Sequence, residues 1–187
     1  TNFPAQPRVA TSRGKTPTQF GDRITIDPKR ITPFSFGGRT TAWVVGDHCS
    51  RWVWFFGTTS KTDYETVLRT VESDIRMSDH IFRRVHTDNE NVLLTPSIEG
   101  FCRDSNPPIA LTHSPSNQHW RNGVCENLIR DLFKLIRVIL FHFPASAWME
   151  VGHTVAYLLN RRPTRGKGMS PYKKRYGSPP DTRMLLP

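Results

Sequence analysis

Apolar and polar residues alternate in the first part of the chain. In residues 22–31, DRITIDPKRI, Ile24 and Ile26 fall on one side of an extended backbone and Asp27 falls on the other, which is typical of a half-buried strand. Residues 40–59 contain two runs of β-branched and aromatic residues separated by a short polar turn, a pattern that predicts a hairpin. Three successive strands predict an antiparallel meander.

The spacing of apolar residues becomes helical after residue 60. In residues 60–79 they recur on one helical face, following a Ser or Thr suited to cap the helix; they are Tyr64, Val67, Leu68, Val71 and Ile75. Residues 80–88 then predict a short strand, residues 95–104 a short helix with Pro96 near its start, and residues 107–113 another strand.

Two more amphipathic helices are predicted in the second half. One is long and begins near Asn122, and the last begins near residues 144–148 and ends at Pro163. The element order is therefore β-β-β-α-β-α-β-α-α. This order predicts an α/β fold in which helices cover both faces of a mixed sheet.

The positive charge of the chain is concentrated at its two flanks. The formal net charge is +10, of which residues 1–21 contribute +3 and residues 151–187 contribute +7, while the middle is neutral. Residues 161–175 hold seven bases and no acid, with Pro and Gly between them, so we expect a flexible segment that buries none of its charges. Clustered bases beside a neutral body indicate a polyanionic partner, the alternative being solvated tails.

Several classes of protein are disfavoured. The three cysteines are scattered without a Cys-x-x-Cys pair, which argues against a disulfide framework or a zinc knuckle and suits a reducing compartment. No apolar run approaches the roughly 18–20 residues of a membrane span. Residues 1–20 have the composition of a linker and no initiator Met, so we expect a piece of a longer chain.

Three carboxylates occupy positions suited to chemistry. Asp27 lies on the first strand, Asp88 ends the strand after the first long helix, and Glu126 lies in the first turn or so of the long helix. Asp88 also suits a turn, because Asp followed by Asn stops a strand. Three carboxylates brought together repel one another unless a cation lies between them, and oxygen ligands favour Mg²⁺ or Mn²⁺. Two such ions can activate a hydroxyl and stabilise the leaving oxygen of a phosphodiester.

Five stretches together resemble one family. They are ITID (24–27), GGRTTAWVVGDHCSRWVW (37–54), HTDN (86–89), SPSNQHWRNGVCEN (114–127) and GMSPYKKRYGSPPD (168–181). Over roughly residues 20–182 the chain resembles the integrase catalytic core of copia-type long-terminal-repeat retrotransposons, within the retroviral integrase superfamily. The resemblance implies a ribonuclease-H-like fold with a mixed five-stranded sheet.

The resemblance assigns domains and a catalytic site. It implies a linker at residues 1–20, a core at 21–162 and a basic C-terminal extension at 163–187. The family's catalytic, metal-binding carboxylates fall on Asp27, Asp88 and Glu126, which would hold two Mg²⁺ or Mn²⁺ ions.

The resemblance also implies a reaction and partners. Water would trim the 3′ ends of element DNA, and the freed 3′-hydroxyl would attack target DNA, inside the cell and finally in the nucleus. Partners would be DNA and further copies of the chain, with no membrane. The residues that we expect to contact DNA are Trp120, Arg121, Asn122, Arg130, Lys134, Arg161, Arg162, Lys173 and Lys174.

The sequence also departs from the family. Between Asp88 and Glu126 lie 37 residues, two more than the family usually has. The Gly pair and the acid that usually follow HTDN are replaced by ENVL, and the loop before Glu126 lacks its usual prolines. The alternative is therefore a degenerate or domesticated copy that binds DNA without turnover, and a second is a nuclease that cuts without joining. Trp120 suits either stacking on a base or fixing its loop, and His86 either supporting Asp88 or packing in the core.

Overall fold

The core of the molecule is a mixed five-stranded sheet. The structure is a computed structural model that describes residues 16–87, 95–113, 123–164, 168–181 and 183. The strand order is β3-β2-β1-β4-β5, with antiparallel pairing among β1, β2 and β3 and parallel pairing of β1 with β4 and of β4 with β5. The predicted meander and mixed sheet are confirmed. The strands are β1 (Ile24–Arg30), β2 (Thr41–Asp47), β3 (Val53–Thr58), β4 (Arg84–Thr87) and β5 (Ala110–His113).

Five α-helices accompany the sheet within the described part of the chain. Thr95 caps the second helix through its side chain, and Pro96 occupies the first turn, where its missing N–H costs nothing. No helix among the described residues is long and apolar enough to cross a membrane. The helices are α1 (Tyr64–Met77), α2 (Pro96–Asp104), α3 (Gly123–Leu140), α4 (Trp148–Arg161) and α5 (Pro171–Tyr176).

Each face of the sheet has its own hydrophobic core. Ile24 and Ile26 of β1 pack with the apolar faces of α1 and α2. Val44 of β2 belongs to the other core, with Leu132 of α3 and Trp148 of α4. Residues of α1 and α2 belong to one core and residues of α3 and α4 to the other, which confirms the prediction that helices cover both faces.

The expectation of a half-buried β1 is wrong. Thr25, on the side predicted to face solvent, is only 2% exposed. β1 lies at the centre of the sheet between β2 and β4, so α3 and α4 cover the face that the alternation assigned to water. Strand alternation shows which residues share a face, but it does not show whether a helix covers that face.

Arg175 is buried, which corrects the expectation that residues 161–175 bury none of their charges. It lies on α5, a helix that the sequence reading missed, and is 4% exposed. Its guanidinium carbon lies 4.4 Å from the ring centroid of Trp52 and 4.7 Å from that of Phe20, and its Nη1 lies 2.8 Å from Asp74 Oδ2. Half-buried Trp54 also donates to Asp74 Oδ2, at 2.6 Å. Arg175, within the predicted basic extension, is thus packed against side chains of β3 and α1.

Candidate active site

Asp27 lies on the face of the sheet that α3 and α4 cover. It is paired with Val44 of the antiparallel neighbour β2, and directly opposed residues of an antiparallel pair point to the same face. The Asp27 side chain keeps 27% of its surface exposed, and Lys29 Nζ lies 3.9 Å from its Oδ2. A partly exposed carboxylate in the central strand retains oxygen atoms that a cation can reach.

The parallel pairing of β1 with β4 places the residue before Asp27 beside the last residue of β4. Ile26, the residue before Asp27, is paired with Thr87, which precedes Asp88 in the sequence. Asp88 itself lies outside the described residues, so its place in a metal site stays a prediction. Functional groups of α/β sheets gather where parallel strands end, and the parallel pairing of β1 with β4 ends at Ile26 and Thr87.

Glu126 is exposed in the first turn of α3. The same helix packs Leu132 and Ile136 into the core that contains Val44, so the helix of Glu126 covers the face that carries Asp27. No three His, Cys, Asp or Glu side chains lie close enough to hold a metal within the part of the chain that the structure describes. That part lacks Asp88, one member of the predicted trio, so the trio stays a prediction. Carboxylate oxygens are the donors that Mg²⁺ and Mn²⁺ favour, and the two described members fit such an ion chemically.

A buried polar layer crosses three strands beside Asp27. His86 of β4 is buried and hydrogen-bonded through Nδ1 to Thr112 Oγ1 of β5 at 3.0 Å, which favours its interpretation as a histidine satisfied in the core. Thr25 shares a hydrogen bond of 2.5 Å with His48 Nε2. Burial, with the nearby charges of Arg23, His86 and Arg51, lowers the pKa of His48 to about 3. His48 is therefore neutral at physiological pH.

A basic cleft lies between α3, the end of α4 and the turn after β2. Two of the residues predicted to bind DNA, Lys134 and Arg162, line this cleft of about 520 Å³, together with Arg51 and Asp131. Sequence reasoning missed Arg51, which has a positive φ of 70°. The sequence offers little to identify Arg51 as a cleft residue. It lies in a hairpin turn, and its position along the chain does not indicate that it lies near α3.

The other residues predicted to contact DNA differ in their contacts and in their exposure to solvent. The guanidinium of Arg161 lies 3.4 Å from the ring centroid of Tyr157, and Arg130 donates a hydrogen bond to Asn127. Lys173 is exposed on α5, and Lys174 is half-buried. The predictions for the loop before α3 lie outside the described residues; they concern Trp120, Arg121 and Asn122.

The fold is similar to that of retroviral integrase catalytic cores. The catalytic core domain of HTLV-2 integrase, solved in complex with magnesium in a trimeric form, matches with a TM-score of 0.61 and 18% identity over 87% of this chain and 99% of that one. The catalytic core domain of BIV integrase matches with a TM-score of 0.59 and 18% identity, over 82% and 92%. No protein-family model and no curated protein matches the sequence. The chain thus has the mixed α/β, ribonuclease-H-like fold of these cores.

Proposed function

We propose that the chain is an integrase-type catalytic core from a retrotransposon polyprotein of the copia type. The observation that carries this proposal is the pairing of Ile26 with Thr87, each followed in the sequence by an aspartate. The fold shared with two retroviral integrase cores supports it. Action on DNA in the nucleus and assembly into multimers are parts of the same proposal.

The reaction is a nucleophilic attack on a DNA phosphodiester. Asp27, Asp88 and Glu126 would hold two Mg²⁺ or Mn²⁺ ions, which supply charge stabilisation and activation of the attacking hydroxyl when bound. The Asp27 side chain is 27% exposed, so an ion held there would be accessible to a DNA phosphate. Lys29, close to Asp27, offsets part of its negative charge and reduces repulsion of the DNA backbone.

The basic cleft supplies DNA affinity separately from the chemistry. Arg51 lies in the turn between β2 and β3, Lys134 lies on α3 and Arg162 follows α4, and the three line one opening. Arginine and lysine in such a cleft bind phosphates without reading bases. Lys134 and Glu126 both lie on α3, so the helix that carries a catalytic carboxylate also carries a phosphate contact.

The test is metal-dependent nicking and joining of a labelled duplex by the full chain. We expect nicking in Mg²⁺ or Mn²⁺ that falls to background in Asp27→Asn and in Asp88→Asn, because each change removes a charge that holds the metal. The matched control is Asp104→Asn, since Asp104 is an exposed carboxylate on α2 beside Arg103. Nicking that persists in Asp27→Asn at the level of the parent would overturn the assignment.

A second candidate function is DNA binding without turnover. One observation that favours it is the departure of the sequence from the family pattern after Asp88. Another is the basic cleft, whose Arg51, Lys134 and Arg162 could bind DNA without the three catalytic carboxylates. A parent chain that binds duplex DNA but neither nicks nor joins it with any divalent ion would support this function. A chain that nicks without joining would instead be a nuclease.

A further inference from the structure

Four phenylalanines are exposed in two segments that hydrogen bonds join to each other. They lie in the β1–β2 loop (residues 31–40) and in the α3–α4 connection (residues 141–147), which we call together the phenylalanine surface. Their exposed fractions run from 56% to 85%, whereas every other phenylalanine in the described part of the chain is buried or half-buried. They are Phe34, Phe36, Phe141 and Phe143. Exposed apolar residues gathered in this way mark an interaction surface.

Hydrogen bonds hold the two segments together and fix the loop. Phe36 donates its backbone N–H to Ser146 at 3.0 Å, and Trp148 Nε1 donates to the carbonyl of Pro33 at 3.1 Å. Ser35, which separates Phe34 from Phe36 in the sequence, is buried. Its N–H donates to the Arg39 carbonyl and its Oγ accepts from the Arg39 N–H, both at 3.0 Å. Phe34 and Phe36 therefore extend from an ordered backbone, so little ordering of the loop opposes binding.

The charged residues that flank these rings in the sequence are all positive. Residues 28–46 contain three bases and no acid, and residues 132–149 contain two bases and no acid. The acids that border them are Asp27, Asp47, Asp131 and Glu150. Of these, Asp47 is buried and accepts hydrogen bonds from Ser50 and Gly21. Aromatic side chains among bases without acids are the chemistry of a surface for single-stranded nucleic acid.

We propose that the phenylalanine surface binds unpaired nucleotides of the DNA substrate. Phe34 and Phe36 stack on bases, while Arg30 and Arg39 contact the phosphates between them. The inference deepens the proposed function, because it relies on DNA as the partner and names the form of DNA that this surface takes. Lys29, which lies 3.9 Å from Asp27, and Arg30 separate the candidate active site from the β1–β2 loop along the sequence.

Two other occupants of such a surface are a second copy of the chain and a bilayer. A symmetric contact between two copies would place the same bases against one another, which costs affinity. A bilayer would be held by apolar burial, to which Leu contributes as well as Phe. Stacking instead needs an aromatic ring, so the Leu variant separates these cases.

The experiment measures binding of a labelled oligothymidylate to the full 187-residue chain in a chelator, so that no cleavage occurs. We expect Phe34→Ala/Phe36→Ala to weaken binding by about fivefold or more per ring, the lower end of what a stacked base contributes. Phe34→Leu/Phe36→Leu should stay as weak as the Ala variant. The matched control is Met77→Ala, since Met77 is 77% exposed on α1 and far along the chain from both segments.

Three results would overturn the proposal. Unchanged single-strand binding in the Ala variant would remove these rings from the DNA surface. Full recovery in the Leu variant would mean an apolar contact; sedimentation velocity and binding to vesicles of anionic lipid would then show whether a second copy or a bilayer is the occupant. An equal loss in Met77→Ala would mean that the effect is not local.

The proposed function fails separately. Nicking by Asp27→Asn at the parent level would refute the catalytic assignment and leave single-strand binding intact. The phenylalanine surface is supported if Phe34→Ala/Phe36→Ala loses single-strand binding while Asp27→Asn binds normally. This holds whatever the catalytic result.

Discussion

Arg162 and Arg175 belong to the same basic segment but have opposite environments. Arg162 is exposed and lines the basic cleft, whereas Arg175 is buried among aromatic rings next to Asp74. The formal charge of the segment therefore overstates what is available to a phosphate. The comparison shows that a base must be assigned to binding or to folding by its surroundings rather than by its position in a charged run.

The environment of Arg175 explains why burial is tolerated. Its Nη2 donates to the carbonyl of Asp74 at 2.8 Å and to Ser78 Oγ at 3.0 Å, and the rings of Trp52 and Tyr176 lie within cation–π range. Planar guanidinium suits this mixture of stacking and hydrogen bonding better than an ammonium does. Arg162 has no comparable ring contact among the described residues and remains open to solvent.

The largest effect is expected from Arg175→Ala. Removing the buried guanidinium with its hydrogen bonds and ring contacts should lower the free energy of unfolding by about 3 kcal/mol, measured by urea denaturation. Arg175→Lys should recover only part of the loss, because the ammonium keeps the charge without the planar stack. An unchanged denaturation midpoint in Arg175→Ala would mean that α5 contributes nothing to the core, and the contrast with Arg162 would disappear.

A smaller effect is expected from acidification through His48. Burial near Arg51 and other positive charges lowers its pKa to about 3, while in the unfolded chain histidine titrates near about 6.5. Below that pH the unfolded state takes up a proton that the folded state does not, so stability is lost as the pH falls, at about 1.4 kcal/mol per unit. From about pH 7 to about pH 5 the loss due to His48 should therefore be about 2 kcal/mol.

The measurement is urea denaturation at both pH values. His48→Gln should flatten this pH dependence, whereas His142→Gln should leave it as it is, because His142 is exposed. The result would sharpen the comparison of environments: Arg175 is packed beside the acid Asp74, whereas His48 lies among other bases. Equal pH dependence in the parent and His48→Gln would contradict it.

The smallest effect is expected from Arg162→Gln. If Arg162 contacts one phosphate, log affinity for duplex DNA against log salt should flatten by about 0.9, with no change in the free energy of unfolding. The matched control is Arg103→Gln, because Arg103 is exposed on α2, on the opposite face of the sheet. A slope that flattens equally in both variants would mean that DNA contacts are diffuse and that the cleft has no special role.

Much of the fold was predictable because its periodicities are strong. The shift from alternation in residues 22–59 to helical spacing in 60–79 locates the meander and α1. Sheet order is not encoded in that periodicity, so the burial of Thr25 in the central strand could not be foreseen. α5 was missed because its bases suggested a solvated tail, although Ser170 before Pro171 and the left-handed Gly177 at its end mark a short capped helix.

The candidate site was predictable only in part. Asp27 and Glu126 are candidates because of their places in the elements and in the family resemblance, and the structure places Asp27 on the face of the sheet that α3 and α4 cover and Glu126 on α3. Their role in a metal site stays a prediction, as does that of Asp88. Arg51 and the exposed Phe36 escaped attention, because their roles depend on which segments meet in space. Such residues carry no periodic signal of their own.

The contact between Phe20 and Arg175 has a mechanical consequence. The ring of Phe20 precedes β1, and the guanidinium that lies 4.7 Å from it follows α4, so almost every strand and helix lies in the loop of chain that this contact closes. Tension applied at residues 16 and 177 is borne first by that contact and only afterwards by the hydrogen bonds of the sheet. In single-molecule stretching, α5 should therefore detach in a small early step, before the larger extension that accompanies rupture of β1 from its neighbours.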